Sequence, residues 1–137
     1  MITQLPHDSR MIVVKSHTQI SDNQFLVQGE CSQSLVDILG ENGEIESEFG
    51  LEIMAQALGY ISSISAEDLG NTSKGGYVAL VRDYIIGVDR FHQGDKLAID
   101  VLLNHIDEGT IVGECSLIVN GGNSPIQSAS ITIQRFA

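Results

Sequence analysis

The spacing of apolar and polar residues predicts a β-hairpin near the start of the chain. Residues 11–20 are rich in β-branched side chains and predict a strand, and residues 24–32 predict a second strand that returns beside it. Between them, Asp22 and Asn23 tolerate the backbone geometry of a tight turn. The next stretch, residues 32–44, contains glycines and acidic residues, so the pattern predicts an irregular loop there.

One long helix is predicted from about Ser47 to Ile64, where the apolar period changes from that of a strand to that of a helix. Because apolar side chains cover much of its circumference, we expect this helix to be buried on several sides. The stripe consists of Phe49, Ile53, Ala57 and Ile64, and it is widened by Met54, Leu58 and Ile61.

The second half of the chain predicts four strands, over about 77–89, 95–106, 110–120 and 126–135. Turn residues separate these strands, which favours consecutive antiparallel pairing. A hairpin, one helix and a four-strand meander give an α+β order in which the helix packs on one face of the sheet. We therefore expect residues 1–137 to form a single domain.

Acidic residues dominate the charge of the chain. Eighteen Asp and Glu against seven Lys and Arg give a net charge of −11, which argues against a nucleic-acid partner. An acidic carrier protein would need a local basic patch, which the fold would have to assemble from Lys74, Arg82, Arg90 and Lys96. The sequence also lacks a membrane-length apolar run and a secretory signal pattern, so we expect a cytoplasmic protein without membrane contact.

Neither the cysteines nor the glycine pair at residues 75–76 predicts a metal or phosphate site. Cys31 and Cys115 lie far apart and lack close Cys or His neighbours at zinc-site spacing, so we interpret them as buried free thiols. The glycine pair favours a loop or the start of a strand, given its acidic setting.

Glu52 stands out because apolar residues flank it near the start of the predicted helix. In one interpretation it faces solvent and interacts with the partial positive charge of the helix terminus. In the other it is buried beside a ligand tunnel, where lost hydration raises its pKa and lets it act as an acid or base. Gln56 lies one turn later and is placed either to contact Glu52 or to satisfy a hydrogen bond in the core.

Three segments carry a resemblance to a known family. They are LPHDSRMIVV at 5–14, GLEIMAQALGYI at 50–61 and GGYVALVRDYIIGVDRFHQGDKLAIDV at 75–101. In this order they resemble the hotdog-fold 3-hydroxyacyl-acyl-carrier-protein dehydratases, with an acidic residue before a Met-Ala-Gln triplet. The resemblance implies a hotdog fold, with a long central helix wrapped by an antiparallel sheet of five to six strands. It also implies a thioester substrate on acyl carrier protein or coenzyme A, no cofactor, and a dimer whose sites lie across the interface.

The chain departs from that family at the catalytic histidine. The family carries it in a Gly-His-Phe-Pro segment shortly before the acidic residue, whereas residues 35–50 here read LVDILGENGEIESEFG. This departure resembles the divergent dehydratase-like proteins encoded with aryl-polyene pigment pathways, which also combine an LPH start with a G-L-E-x-M-A-Q helix.

The resemblance assigns roles to individual residues. Glu52 corresponds to the catalytic carboxylate, and the backbone at Gly50 would bind the thioester carbonyl. Gln56 and Gly76 are the other predicted substrate-binding residues. Because residues 35–48 contain no histidine, His7 is the candidate for the missing base. A residue that caps the first strand would look the same, and the family's own Leu-Pro-His histidine is not its catalytic one.

Three functions remain open at this point. The first is a dehydratase that converts a 3-hydroxyacyl thioester to the trans-2-enoyl thioester. The second is a non-catalytic, dehydratase-like subunit that pairs with an active homologue in a mixed dimer. We expect the chain to form either a homodimer or a heterodimer with a related dehydratase. The third is a hotdog thioesterase that uses a carboxylate to activate water. The fold alone does not decide between them.

Overall fold

The computed structural model describes residues 3–4, 13–68, 76–87 and 90–135. Two helices and nine strands follow one another along these residues. In chain order they are β1 Thr3–Gln4, β2 Val14–Gln19, β3 Gln24–Glu30, α1 Gln33–Leu39, β4 Glu44–Ile45, α2 Phe49–Asp68, β5 Gly76–Ile86, β6 Phe91–His92, β7 Lys96–Ile106, β8 Thr110–Val119 and β9 Gln127–Arg135.

An antiparallel sheet contains most of the strands, in the order β1-β5-β9-β8-β7-β3-β2. Six of its strands have six residues or more, and β1 adds a two-residue bridge at one edge. The predicted hairpin is present as β2 and β3, which pair from Gln19 with Phe25 to Val14 with Gly29. The α+β class and the sheet of about six strands are therefore confirmed.

The predicted four-strand meander is wrong at its first step. Strand β5 pairs with β9, and β7 enters the sheet beside β3. The reason lies between β5 and β7, where the short strand β6 pairs with β4 in a separate two-stranded sheet. This pairing carries the chain away from β5 before β7 begins, and only β7, β8 and β9 form a meander.

The loop predicted over residues 32–44 is also wrong, because α1 and the start of β4 lie there. Ser32 caps α1, since its hydroxyl accepts a hydrogen bond from the backbone N–H of Leu35 at 3.1 Å. Leu35 and Val36 are buried in the core. A cap followed by buried apolar residues is a helix signal that the nearby glycines and acidic residues obscured.

Helix α2 is the predicted central helix. Its contacts are with β2, β5, β7, β8 and β9, so the sheet encloses it. The predicted apolar face is confirmed, since Ile53, Met54, Ala57, Leu58 and Ile61 are each at most 1% exposed. No helix in the described part of the chain is both long and apolar enough to cross a membrane.

Candidate functional site

Glu52 lies in the first turn of α2 and is half-buried. Burial raises the pKa of its carboxyl group above the ordinary value, because lost hydration disfavours the charged form. Loss of hydration is the only cause of this shift among the described residues. A carboxyl group with a raised pKa is better suited to donate a proton than an ordinary glutamate is.

Gln56 satisfies a hydrogen bond in the core, which is one of the two roles that the sequence left open. Its side-chain oxygen accepts a hydrogen bond at 3.0 Å from the backbone N–H of Val13, and the residue is 8% exposed. The bond satisfies a buried donor just before β2 begins, so it ties that point of the chain to α2. A part for Gln56 in substrate binding stays a prediction.

Three backbone N–H groups at the start of α2 donate to the preceding turn. Phe49 donates to Glu46, Gly50 to Ser47 and Leu51 to Glu48, at 3.1, 3.0 and 3.3 Å. The four N–H groups at a helix N-terminus have no partner within the helix, and they carry its partial positive charge. This end of α2 therefore suits a carbonyl oxygen that gains negative charge, once that oxygen replaces a turn carbonyl to which one of these N–H groups donates.

Gln127, which the sequence analysis missed, packs directly on this helix start. Its Nε2 donates to the carbonyl of Ser47 at 2.6 Å, and its Oε1 accepts from the Tyr84 hydroxyl at 3.0 Å. A Cβ added at Gly50 would lie 2.0 Å from Oε1 of Gln127, so any larger residue there would force the Gln127 amide to move. One signal was available, because the alternation in β9 puts Gln127 on the same face as Ala129 and the buried isoleucines.

Tyr84 completes this polar group from β5. Burial is the main cause that raises the pKa of its hydroxyl, the charge of Glu48 adds to it, and the backbone N–H of Leu51 opposes it. The hydroxyl therefore stays protonated at neutral pH and acts as a hydrogen-bond donor. Gln127 and Tyr84 thus meet Gly50 at the start of α2, and Glu52 lies in the first turn of the same helix.

Comparison with known proteins gives a family. The model for ApeP-like proteins, described as ApeP dehydratase, matches residues 1–136. The chain belongs to the ApeP-like dehydratases. This result confirms the resemblance to dehydratase-like proteins of aryl-polyene pathways. Among the curated proteins no match is found.

Solved structures confirm the hotdog fold of this ApeP-like chain. A chain of the dehydratase heterocomplex ApeI:P from Xenorhabdus doucetiae is 27% identical, with a TM-score of 0.79, and the match covers 95% of this chain and 87% of that one. A hypothetical thioesterase with coenzyme A from Streptococcus pneumoniae is 14% identical, with a TM-score of 0.55, covering 89% and 85%. The protein smu.793 from Streptococcus mutans, bound to acetyl CoA, is 16% identical, with a TM-score of 0.59, covering 96% and 98%. The last two likenesses show the fold alone.

Three histidines of the ApeP-like chain have partners at the surface. His17 Nδ1 lies 3.0 Å from the Tyr60 hydroxyl, and His105 Nε2 lies 2.7 Å from a carboxylate oxygen of Asp107. His92 lies beside the turn at Gln93, with a side chain 55% exposed and carboxylates of Glu44 and Asp95 nearby. His7 lies outside the described residues.

Gly76 is the first residue of β5, where it pairs with Arg135 at the far end of β9 from Gln127. This confirms the start of a strand at the glycine pair. Eight residues along β9 correspond to about 27 Å, so one chain does not bring Gly76 to Gly50. Its substrate-binding role stays a prediction.

The basic patch considered from the sequence does not form from its described members. Arg90 pairs with Glu44 and Glu46, and Lys96 pairs with Glu30. Arg82 lies on β5, which β9 and β8 separate from β7 with its Lys96. Lys74 lies outside the described residues. A carrier protein would therefore find these cations dispersed and largely neutralised.

Both cysteines are buried free thiols, as predicted. Loss of hydration is the main cause that raises the pKa of Cys31 to about 11 and that of Cys115 to about 12. Such thiols stay protonated and are poor nucleophiles. Within the described segments, no three His, Cys, Asp or Glu residues form a group that would hold a metal ion.

Proposed function

We propose that the protein is a dehydratase subunit that converts a 3-hydroxyacyl thioester to the trans-2-enoyl thioester in a dimer with a related dehydratase. The observation that carries this proposal is the half-buried Glu52 carboxyl, with its raised pKa, beside the N-terminus of α2. An acid or base next to backbone donors is the pairing that dehydration next to a thioester carbonyl requires. Membership of the ApeP-like dehydratases supports the same reaction.

The proposed reaction breaks the C2–H and C3–O bonds of the substrate and forms the C2–C3 double bond and a molecule of water. A base removes a proton from C2, the electron pair forms the C2–C3 double bond, and the C3 hydroxyl leaves with a proton as water. Glu52 supplies that proton to the leaving hydroxyl. The thioester carbonyl gains negative charge as the C2 proton is lost, and the N–H of Gly50 stabilises it.

His7 is the proposed base. In the sequence it precedes Val13 by six residues, and the backbone N–H of Val13 donates to Gln56, one turn of α2 after Glu52. A stretch of that length spans at most about 20 Å, and the approach of His7 to Glu52 stays a prediction.

A non-catalytic subunit is the second candidate function. His17, His92 and His105 have partners at the surface, so His7 is the one histidine left to this chain as a base. If His7 does not act as the base, this chain does not supply a histidine for the reaction, which favours a non-catalytic subunit. In that case a base from the related dehydratase would serve the site. The heterocomplex ApeI:P is named as a dehydratase assembly of two components, which supports a mixed dimer here.

Purified protein, alone and mixed with a related dehydratase, tests the proposal on 3-hydroxybutyryl and crotonyl thioesters of coenzyme A and of an acyl carrier protein. We expect the mixed dimer to interconvert the two thioesters, with a clear loss of rate when His7→Gln is present in this chain. A rate that His7→Gln leaves unchanged would favour the non-catalytic subunit. Release of the free acid would indicate a thioesterase instead.

The edge of β5 is the proposed contact with the partner subunit. Among the described residues, β1 pairs with Tyr77 and Val78 of this edge. Beyond them, Leu80, Ile85 and Ile86 are 44%, 67% and 40% exposed. An exposed apolar edge invites pairing with another strand. The opposite edge, β2, is polar and carries Lys15, which discourages pairing. Ile86 pairs with Gln127, so a partner on β5 would lie beside the start of α2.

We expect Ile85→Lys to weaken the association with the related dehydratase at least about tenfold, because it puts a charge on an edge that must pair with another chain. Sedimentation of the mixed proteins over a range of concentrations measures the change. Ile20→Lys is the matched control, since Ile20 is 56% exposed and lies at the turn of the β2–β3 hairpin, by the opposite edge. Equal association of both variants with the partner would rule out the β5 edge.

A further inference from the structure

We infer that Gln127 is a positioning residue that keeps the backbone N–H of Gly50 available to the thioester carbonyl. The inference rests on the proposed dehydratase function, in which Gly50 binds that carbonyl. It assigns a specific task to a glutamine that is 1% exposed and lies among apolar residues of the sheet.

The carbonyl oxygen of Ser47 receives two hydrogen bonds. Nε2 of Gln127 donates to it at 2.6 Å, and the N–H of Gly50 donates to it at 3.0 Å. A carbonyl oxygen has two lone pairs and accepts both. When a substrate carbonyl takes the N–H of Gly50, Ser47 keeps its bond to Gln127, so no partly buried acceptor is left unpaired. Gln127 thereby lowers the free-energy cost of redirecting this N–H to the substrate.

Tyr84 sets the orientation of the Gln127 amide. Its protonated hydroxyl donates to Oε1 at 3.0 Å, so the amide oxygen faces Tyr84 and the NH₂ group faces Ser47. The amide also lies against Gly50, where an added Cβ would be 2.0 Å from Oε1 and 2.5 Å from Nε2. The tyrosine and the glycine therefore hold the amide in the one orientation that serves Ser47.

The test follows the carbonyl group directly. Crotonyl-coenzyme A labelled with ¹³C at the thioester carbonyl is bound to the dimer of this protein with the related dehydratase, and the infrared stretch of that carbonyl is measured. We expect the wild type to lower the stretching frequency, since a hydrogen bond from Gly50 polarises the group. Gln127→Glu should lose this shift at high pH and should lower kcat for hydration at least about tenfold with KM unchanged.

Acid should rescue Gln127→Glu, because the protonated carboxyl group regains a donor for the carbonyl of Ser47. The ratio of variant to wild-type kcat is thus expected to rise as the pH falls, a change that a purely structural defect would not produce. Gln134→Glu is the matched control. Gln134 lies on the same strand, donates to the carbonyl of Gly109 at 2.8 Å and accepts from the hydroxyl of Thr110 at 3.4 Å. We expect the carbonyl frequency shift and the kcat of Gln134→Glu to equal those of the wild type.

The other outcomes distinguish a failure of carbonyl binding at Gly50 from a failure of the role of Gln127. No frequency shift with the wild type would refute carbonyl binding at Gly50, and with it both the proposed mechanism and this inference. A wild-type shift that Gln127→Glu retains at every pH would overturn the inference alone. Should Gln127→Glu not fold, Tyr84→Phe decides the matter, because it keeps the ring and removes the hydroxyl that orients the amide. A full shift and full kcat in Tyr84→Phe would then overturn the inference.

Discussion

Replacing Glu52 by Gln is expected to lower kcat for dehydration on the order of a hundredfold or more while the protein stays folded. Glutamine keeps the size of the side chain and its hydrogen-bonding oxygen, but it cannot transfer a proton to the leaving hydroxyl. Formation of the enoyl thioester by the dimer with the related dehydratase measures the loss.

The same substitution should change stability in a definite direction with pH. Burial raises the pKa of Glu52 above 4.5, so the folded protein holds this proton more tightly than the unfolded chain does. As the pH rises from 4.5 through the folded pKa, the unfolded chain loses the proton first, and the free energy of unfolding falls. At neutral pH Glu52→Gln is therefore expected to melt at a higher temperature than the wild type. The difference should shrink as the pH is lowered toward 4.5.

Glu48→Gln is the control for both measurements. Glu48 is exposed and lies just before α2, so the variant makes the same change of charge near the helix start. We expect wild-type kcat from it and no stabilisation at neutral pH. If Glu52→Gln kept full activity on a substrate that the wild type turns over, Glu52 would not be the acid.

Gly50→Ala should destabilise the protein by about 2 kcal/mol and lower its melting temperature by about 8 °C. The added Cβ would lie 2.0 to 2.5 Å from the amide atoms of Gln127, well inside contact distance. Overpacking of this kind costs about 3 kcal/mol, whereas the higher helix propensity of alanine returns about 1 kcal/mol. The clash therefore decides the sign. Thermal unfolding followed by circular dichroism measures the change.

A second substitution identifies Gln127 as the cause. Gln127→Ala removes the amide that the new Cβ would meet, so Gly50→Ala should cost less in its presence than in the wild-type background. Gly122→Ala controls for the exchange itself, because the nearest atom to its Cβ would be 3.4 Å away. Equal costs of Gly50→Ala in both backgrounds would mean that the clash with Gln127 is not responsible.

Periodicity predicted α2 and the long strands well, but it missed the short elements α1, β4 and β6 and predicted the strand pairing poorly. The apolar face of α2 was readable because its spacing is set within one element, and Ile53, Ala57 and Ile61 are buried accordingly. The sequence did not predict which strand pairs with β5. The pairing of β5 depends on the pairing of β6 with β4. Strands of two residues are too short to show a sequence pattern that predicts this pairing.

The residues of the candidate site also differ in how well the sequence predicted them. The sequence drew attention to Glu52 because an acidic residue among apolar neighbours in a helix is unusual, and the structure shows that it is half-buried. Gln127 was missed, although it is a polar residue at an inward position of β9. Its importance comes from Ser47 and Tyr84, which reach it only in the folded protein, and long-range hydrogen bonds of this kind leave no spacing pattern in the sequence.

The pairing of β3 with β7 has a consequence for how the protein folds. Gln24 pairs with Leu102 and Glu30 with Lys96, so the β2–β3 hairpin can pair with β7 only after most of the chain has been synthesised. Contacts between residues so distant in sequence give a high contact order, which slows folding to milliseconds or longer. During synthesis β3 lacks this neighbouring strand until β7 has been made. A nascent chain of this protein is therefore most exposed to aggregation before β7 leaves the ribosome.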